Sequence, residues 1–172
     1  MNPTQVINNI KRSFNSYASD ALSPDTVNFD LDPFDTSGLT EWYAVRYTGC
    51  SSESSGMGDL VDEDSEDKGR IHRVSCEISA WRRADPQRSG LGDMADKLIS
   101  LCEIPSIPLY DYTDPEDPVE CGTMSVQPRK GRFTPSWNGG GPVHKSASDL
   151  YLDLETAGFI LEFELITITE LE

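Results

Sequence analysis

The chain has 172 residues, 14 Lys and Arg against 30 Asp and Glu, and a formal net charge of −16. This length favours one domain spanning residues 1–172, and no apolar run reaches the ~20 residues needed to cross a bilayer. The first ten residues lack the apolar stretch of a secretory signal. The excess of acid argues against a protein that grips phosphate backbones, because that requires stripes of Lys and Arg.

The first third of the chain changes from a helical pattern to strand patterns. Apolar residues recur every three or four positions across residues 3–22, which predicts an amphipathic helix. Alternation over residues 26–31 predicts a short strand, and the aromatic and β-branched residues of 41–48 predict a second one. Residues 50–69 are rich in Ser, Gly and acid. This composition predicts a flexible acidic excursion from the surface.

The middle of the chain predicts one long strand followed by a helix. Strand residues alternate between the two faces of a sheet, so residues 70–81 divide into two sets, of which one is the expected core face. Residues 82–90 are predicted to be a polar turn, and 91–102 to be the second helix. The predicted core set is His72, Val74, Cys76, Ile78 and Ala80 from the strand, with Leu98, Ile99 and Cys102 from the helix.

The last third predicts three more strands separated by loops. A strand over residues 107–112 contains Pro108, which confines it to an edge or an irregular position. Residues 120–127 predict another strand, and residues 130–148, rich in Gly, Pro and Ser, predict a long surface loop. The alternation over 158–169 predicts a long antiparallel strand with one buried face. Its buried residues are expected to be Phe159, Leu161, Phe163 and Leu165.

The order of these elements predicts the fold class. Helix, strands, helix and strands, with hairpin-compatible spacing between consecutive strands, are typical of an α+β protein. We expect a single mixed, mainly antiparallel β-sheet with two α-helices packed on one face and long surface loops.

The sequence shows no motif of an enzyme or of a metal site. His72 and His144 lie in no recognisable catalytic motif and are interpreted as partly exposed surface residues. An EF-hand loop starting at Asp62 fails, because Asp67 replaces the required Gly and Arg73 the required Glu. The cysteines form no C-x-x-C pair and are interpreted as reduced thiols. We therefore expect no enzymatic activity, no cofactor and no bound metal.

Two other kinds of site concern phosphate and sugar ligands. The glycines at 139–141 do not fit a phosphate-binding loop, because Pro142 follows them and the Gly-Lys-Ser/Thr ending is missing. Paired carboxylates for glycoside hydrolysis remain open, because their spacing is spatial and cannot be read from a sequence.

Local groups of charge predict a subunit interface. Basic residues on an acidic protein are suited to meet acidic surface on a neighbouring copy, although they can equally be scattered solubilising charge. A polar turn can reach a neighbour without disturbing its own core. The candidate interface consists of Arg82, Arg83 and Arg88 on the basic side and Asp114, Glu116 and Asp117 on the acidic side.

The order of parts resembles that of the tail terminator, or tail completion, proteins in the neck of tailed bacteriophages. An amphipathic N-terminal helix over residues 6–22 leads into an early strand. A core strand ending in Trp81-Arg82-Arg83 precedes a helix that reads MADKLISL at 94–101. The chain then finishes with a long strand at 159–169, as members of the family commonly do.

The resemblance implies a structural virion protein. Such proteins form a ring, usually of six copies, at the head-proximal end of the tail tube. The ring ends tube polymerisation and joins the tail to the head connector or stopper protein, while genomic DNA passes through the lumen without specific binding. The implied location is the virion neck, after assembly in the host cytoplasm and without contact with a membrane.

Three alternatives remain open. One is another phage neck or tail subunit, such as a head–tail stopper, a tube protein or a decoration protein. The second is an enzyme of a type that the sequence does not identify. The third is an acidic protein that mimics DNA and inhibits a host nuclease. DNA mimics spread their acids over a structured surface, whereas many acids here are predicted to lie in one loop.

Overall fold

The computed structural model of the chain combines two helices with one mixed sheet, which confirms the predicted α+β class. It describes residues 2–30, 35, 38–54, 69–83, 89–128, 136–138 and 156–169. In chain order the elements are α1 (Pro3–Leu22), β1 (Val27–Phe29), β2 (Glu41–Ser54), β3 (Arg70–Arg83), α2 (Ser89–Cys102), β4 (Ile107–Asp111), β5 (Val119–Pro128), β6 (Ser136–Asn138) and β7 (Thr156–Thr169).

Helix α1 begins and ends where its local sequence requires. Oδ1 of Asn2 accepts a hydrogen bond of 2.8 Å from the backbone N–H of Gln5, which satisfies one of the free donors of the first turn. Pro3 occupies the first turn, where no N–H is needed. Pro24 follows the helix and cannot continue it. Neither α1 nor α2 is long and apolar enough, over its described residues, to cross a membrane.

Strand β3 lies in the middle of the sheet. The strand order is β1-β2-β3-β7-β5-β4, and β6 pairs with β7. Strand β3 pairs antiparallel with β2 on one side and with β7 on the other, from Arg70 opposite Thr169 to Arg83 opposite Thr156. Strand β7 continues the sheet to β5, and β5 pairs antiparallel with the edge strand β4.

The core lies where the predicted apolar faces meet. The even-numbered residues of β3 from 72 to 80 and the odd-numbered residues of β7 from 159 to 165 are buried, as predicted. Both helices contact β3, and the ring of Phe14 in α1 lies 5.3 Å from that of Phe163 in β7. Leu98 and Cys102 of α2 are buried, while Ile99 is partly buried against the same core.

The structure departs from the predictions in the length of β2, in the loop 130–148 and in one strand pairing. The acidic excursion does not begin at residue 50, because β2 continues to Ser54 and pairs there with Arg70 of β3. Ser and Gly have low strand propensity, but pairing with β3 supplies their backbone hydrogen bonds. The predicted loop 130–148 contains strand β6. The first two strands are parallel rather than a hairpin. The rest of both predicted loops lies outside the described residues.

The edge strand β4 is covered by polar side chains of α1. The backbone N–H of Tyr110 donates to Oγ of Ser13 at 2.9 Å, and that of Tyr112 donates to Oδ1 of Asn9 at 3.2 Å. The two acceptors are four residues apart and lie on one face of the helix. The two donors are two residues apart, so both N–H groups point to the same side of the strand. The helix therefore satisfies backbone groups that an edge strand otherwise presents to other chains.

Truncation of Leu98 to Ala should destabilise the protein strongly. Leu98 is fully buried between α2 and the sheet, and the loss of a buried Leu side chain costs about 2–5 kcal/mol. Chemical denaturation measures the change in the free energy of unfolding. The matched control is Ser100→Ala on the exposed side of the same helix, with an expected change within about 0.5 kcal/mol. A loss below ~1 kcal/mol for Leu98→Ala would show that α2 is not packed on the sheet.

Removal of the Tyr43 hydroxyl should leave stability unchanged or raise it. This side chain is buried, and its hydroxyl has no hydrogen-bond partner in the described structure. Tyr47 is the matched control, because its hydroxyl contacts the carbonyl oxygen of Lys11 and Oδ1 of Asn15. Thermal and chemical denaturation should show a loss of about 1–2 kcal/mol for Tyr47→Phe and none for Tyr43→Phe. Equal losses would contradict the assignment of the Tyr43 hydroxyl as unpartnered.

Candidate subunit interface

The acidic group predicted from the sequence lies in the turn between β4 and β5. Asp114, Glu116 and Asp117 are all exposed there. Oδ1 of Asp114 accepts a hydrogen bond of 3.0 Å from the backbone N–H of Glu116, which fixes the turn locally. Three carboxylates therefore project from one short turn into solvent.

Asp111 anchors this turn to α1. Its Oδ1 accepts hydrogen bonds from the Thr113 hydroxyl at 2.8 Å, from the Thr113 N–H at 3.0 Å and from Nδ2 of Asn9 at 3.1 Å. These bonds, with that of the Thr113 hydroxyl the largest cause, favour the charged carboxylate and lower the pKa of Asp111. The acidic turn is thus held in a defined position against the helix.

The basic group lies at the end of β3. The prediction that Arg82 and Arg83 belong to a polar turn is wrong, because they are the last two residues of β3 and pair with β7. Arg88 lies outside the described residues. The guanidinium of Arg82 lies 3.4 Å from the Glu41 carboxylate, and the two side chains are 35% and 42% exposed. An exposed pair of this kind contributes about 0–1 kcal/mol.

The strand register separates the acidic and basic groups. Arg82 lies beside the first residues of β7, whereas Arg70 pairs with Thr169, the last. Ser125 of β5 pairs with Ile166, so the residues before Ser125 run past the C-terminal end of β7. The acidic turn precedes β5 and lies at that same end. Arg82 and Arg83 therefore lie at the opposite end of the strands from the acidic turn.

His72 is buried, contrary to the prediction of a partly exposed surface histidine. Its Nδ1 lies 2.7 Å from Oγ of Ser52 in β2, and its Nε2 lies 2.9 Å from Oγ1 of Thr169 in β7. Burial, and secondly the positive charge of Arg70, lowers the pKa of His72. The strand alternation, which assigned His72 to the core face, was the correct signal.

The surroundings of His72 suit a structural role. A neutral imidazole donates through one nitrogen and accepts through the other, and hydroxyl groups can take either part. The imidazole of His72 therefore links β3 to both β2 and β7 by side-chain hydrogen bonds, in addition to the backbone pairing of these strands. Neither of these two contacts involves a carboxylate.

The four cysteines are free thiols and differ in exposure. Cys76 and Cys102 are buried, and Cys50 and Cys121 are exposed. Burial raises the pKa of both buried thiols, so they remain protonated and are poor nucleophiles at neutral pH. Across the described ranges, no three His, Cys, Asp or Glu side chains are grouped in a way that could hold a metal ion.

The stability contributed by neutral His72 should be lost as the pH falls. Because its pKa is lower in the folded protein than its usual value of about 6.5, the unfolded chain binds the proton more readily. The free energy of unfolding should therefore fall as the pH drops below ~6.5, by at most about 1.4 kcal/mol per pH unit from this group. Denaturation between about pH 5.5 and 7.5 should show a smaller slope for His72→Gln than for the original protein. Equal slopes for the two proteins would contradict this assignment.

The chain was compared with known proteins by sequence. No protein-family model and no curated protein matches it. We therefore infer its function from the fold and from the placement of the acidic and basic groups.

Proposed function

We propose that this chain is a structural subunit in the neck of a tailed bacteriophage. It forms a ring, of six copies in our proposal, at the head-proximal end of the tail tube. The ring ends tube polymerisation and joins the tail to the head connector. The observation that carries the proposal is the placement of the acidic turn and the β3 arginines at opposite ends of the strands.

A closed ring needs two different surfaces on each copy. In a cyclic assembly larger than a dimer, one patch of a copy contacts another patch of the next copy. Asp114, Glu116 and Asp117 are exposed at one end, and Arg82 is partly exposed at the other. Opposite charges on the two patches steer the encounter and set its register. The two ends are thus suited to head-to-tail contact between copies.

The placement of the two helices and the pairing of the strands are compatible with this role. Both helices contact β3, and the buried residues of β3 share one face over most of its length. Every pairing is antiparallel except that of β1 with β2. We infer that the two helices share one face of a single, mainly antiparallel sheet and that residues 1–172 form one domain.

The charge of the chain suits a conduit for DNA. A net charge of −16 per copy repels phosphate groups, so DNA can pass through the lumen without being retained. The tail tube protein and the head connector or stopper protein are the other partners in this proposal. The subunit assembles in the host cytoplasm, resides in the virion neck and performs no catalysis.

The purified protein tests the proposal directly. Native mass spectrometry should show a closed oligomer of defined copy number, and electron-microscopy class averages should show rings with a central channel. A protein that stays monomeric up to the highest soluble concentration would contradict the proposal.

Charge reversal at the end of β3 should weaken the ring. The double variant Arg82→Glu/Arg83→Glu places negative charge opposite the acidic turn of the next copy, and like charges across an interface oppose association. Native mass spectrometry should show fewer rings than for the original protein. Lower salt should deepen the loss, because repulsion is then less screened.

The control is Arg46→Glu, which reverses one exposed arginine within β2. It should assemble like the original protein. A thermal melt of each variant verifies that the subunit is folded. Rings of unchanged stability in Arg82→Glu/Arg83→Glu would remove these arginines from the interface.

A further inference from the structure

One edge of the sheet is open along half of a strand. Strand β1 pairs with residues 43–45 of β2 only, and the N–H of Tyr47 donates to Oδ1 of Asp30, just after β1, at 3.4 Å. From residue 48 to its end at Ser54, β2 has no neighbour on this side among the described residues. Residues 48–53 are all exposed. Because α1 covers the opposite edge strand β4, the two edges of the sheet differ in their protection.

The backbone groups of Cys50 and Ser52 point outward at this edge. Backbone groups of successive strand residues point alternately to the two sides of the strand. Val45 points outward, because its carbonyl oxygen accepts a hydrogen bond of 2.8 Å from the turn after β1. Arg46 therefore points to β3, and so does Gly49, since their partners on β3 are two positions apart. One and three positions later, Cys50 and Ser52 direct their N–H and C=O groups away from β3.

The side chains of this edge leave room for another strand. Natural edge strands are commonly protected by Lys, by Pro or by an inward-pointing charge, whereas residues 48–54 read TGCSSES. These side chains are small apart from Glu53, which carries the single charge. The register shift between Tyr47 and Gly49 lies at the start of the segment, and residues 49–54 pair regularly with β3. We call residues 48–54 the open edge of β2.

A second copy of the same edge is complementary to it. Two identical strands that pair antiparallel are related by a two-fold axis, and the midpoint of the open edge is Ser51. With the axis there, Cys50 lies opposite Ser52 of the second copy, so their outward N–H and C=O groups exchange hydrogen bonds. Glu53 lies opposite Gly49 of the second copy. The two Glu53 residues are then four strand positions apart, roughly 13 Å, and like charges do not meet.

We propose that the open edge of β2 pairs antiparallel with the open edge of a second copy, about a two-fold axis at Ser51. This pairing supplies the outward backbone groups of Cys50 and Ser52 with partners that one copy lacks, and it continues the sheet across two subunits. The contact is symmetric, whereas the proposed ring uses two different surfaces, so the inference does not rest on the proposed function. Because the contact is short and polar, we expect a weak dimer that a covalent bond can capture.

Disulfide capture tests the position of the axis. In a background of Cys50→Ser/Cys121→Ser, Ser51→Cys places one thiol of each copy at the axis. Ser51 points to β3, so the two copies of this residue form a non-hydrogen-bonded pair with Cα atoms about 4.5 Å apart, within the range of a disulfide. Oxidation by dissolved oxygen with copper–phenanthroline should give covalent dimers. The matched control Glu53→Cys, exposed on the same strand, should give about tenfold fewer, because its thiols are too far apart.

Removal of one outward donor tests the hydrogen bonds. Cys50→Pro deletes an N–H that points away from β3, and proline is tolerated at an edge where the N–H faces solvent. Sedimentation velocity on the full chain gives the concentration of half-dimerisation, which should rise about tenfold or more, because each dimer loses two hydrogen bonds. Cys50→Ser keeps the donor and should change this concentration less than about twofold. Thermal melts verify that both variants are folded.

The outcomes separate this inference from the proposed function. Dimers captured by Ser51→Cys, and few by Glu53→Cys, support the paired edges whether or not rings form. Equal yields from the two variants, or no dimer from Ser51→Cys, would overturn the pairing while leaving the ring untouched. Dimerisation that Cys50→Pro does not weaken would show a contact other than strand pairing and would also overturn it. A protein that dimerises through this edge but closes no ring would contradict the proposed function alone.

Discussion

The pairing of β3 with β7 is the constraint on which the rest of the structure depends. The two strands are hydrogen-bonded from Arg70 to Arg83 without a break in register. A shift by one residue would exchange the buried and exposed faces of a strand. Phe163 would then leave the core, and its contact with Phe14 of α1 would be lost. The register thus determines both where α1 packs and which charges reach each end of the sheet.

The contact between α1 and β4 depends on polar groups rather than on apolar area alone. Ser13 and Asn9 accept hydrogen bonds from alternate backbone N–H groups at the sheet edge. Both acceptors are buried, so losing a partner would leave a buried polar group unsatisfied. This arrangement closes one edge of the sheet to strand addition.

Prediction from sequence succeeded where a long periodic pattern met a buried face. The apolar periodicity of residues 3–22 predicted the helix, and the alternation around Ile78 and Phe163 predicted two strands and their buried faces. These predictions are correct because the apolar residues that recur at each period are the ones that become buried. Prediction failed at Ser52 and at Asn138, where propensity favours a loop and only pairing with a distant strand produces a strand.

The candidate interface could be predicted only in part. The acidic turn follows from its Asp-Pro composition, and the structure places Asp114 in an exposed turn. The assignment of Arg82 and Arg83 to a polar turn was wrong, since two consecutive arginines after an apolar strand favour a turn, whereas pairing with β7 keeps both in β3. The open edge of β2 is also a property of the folded chain, because it depends on which strands lie beside it.

The edge cover formed by α1 has a consequence for biosynthesis. Asn9 and Tyr112, which bond to each other, are 103 residues apart in the chain. The helix leaves the ribosome first, yet the strand that uses its polar side is synthesised much later, and β7 later still. Until then its apolar stripe has no complete sheet to cover, and long-range contacts of this kind slow folding. Helix α1 therefore cannot complete its packing on the sheet until the chain through Thr169 has been synthesised.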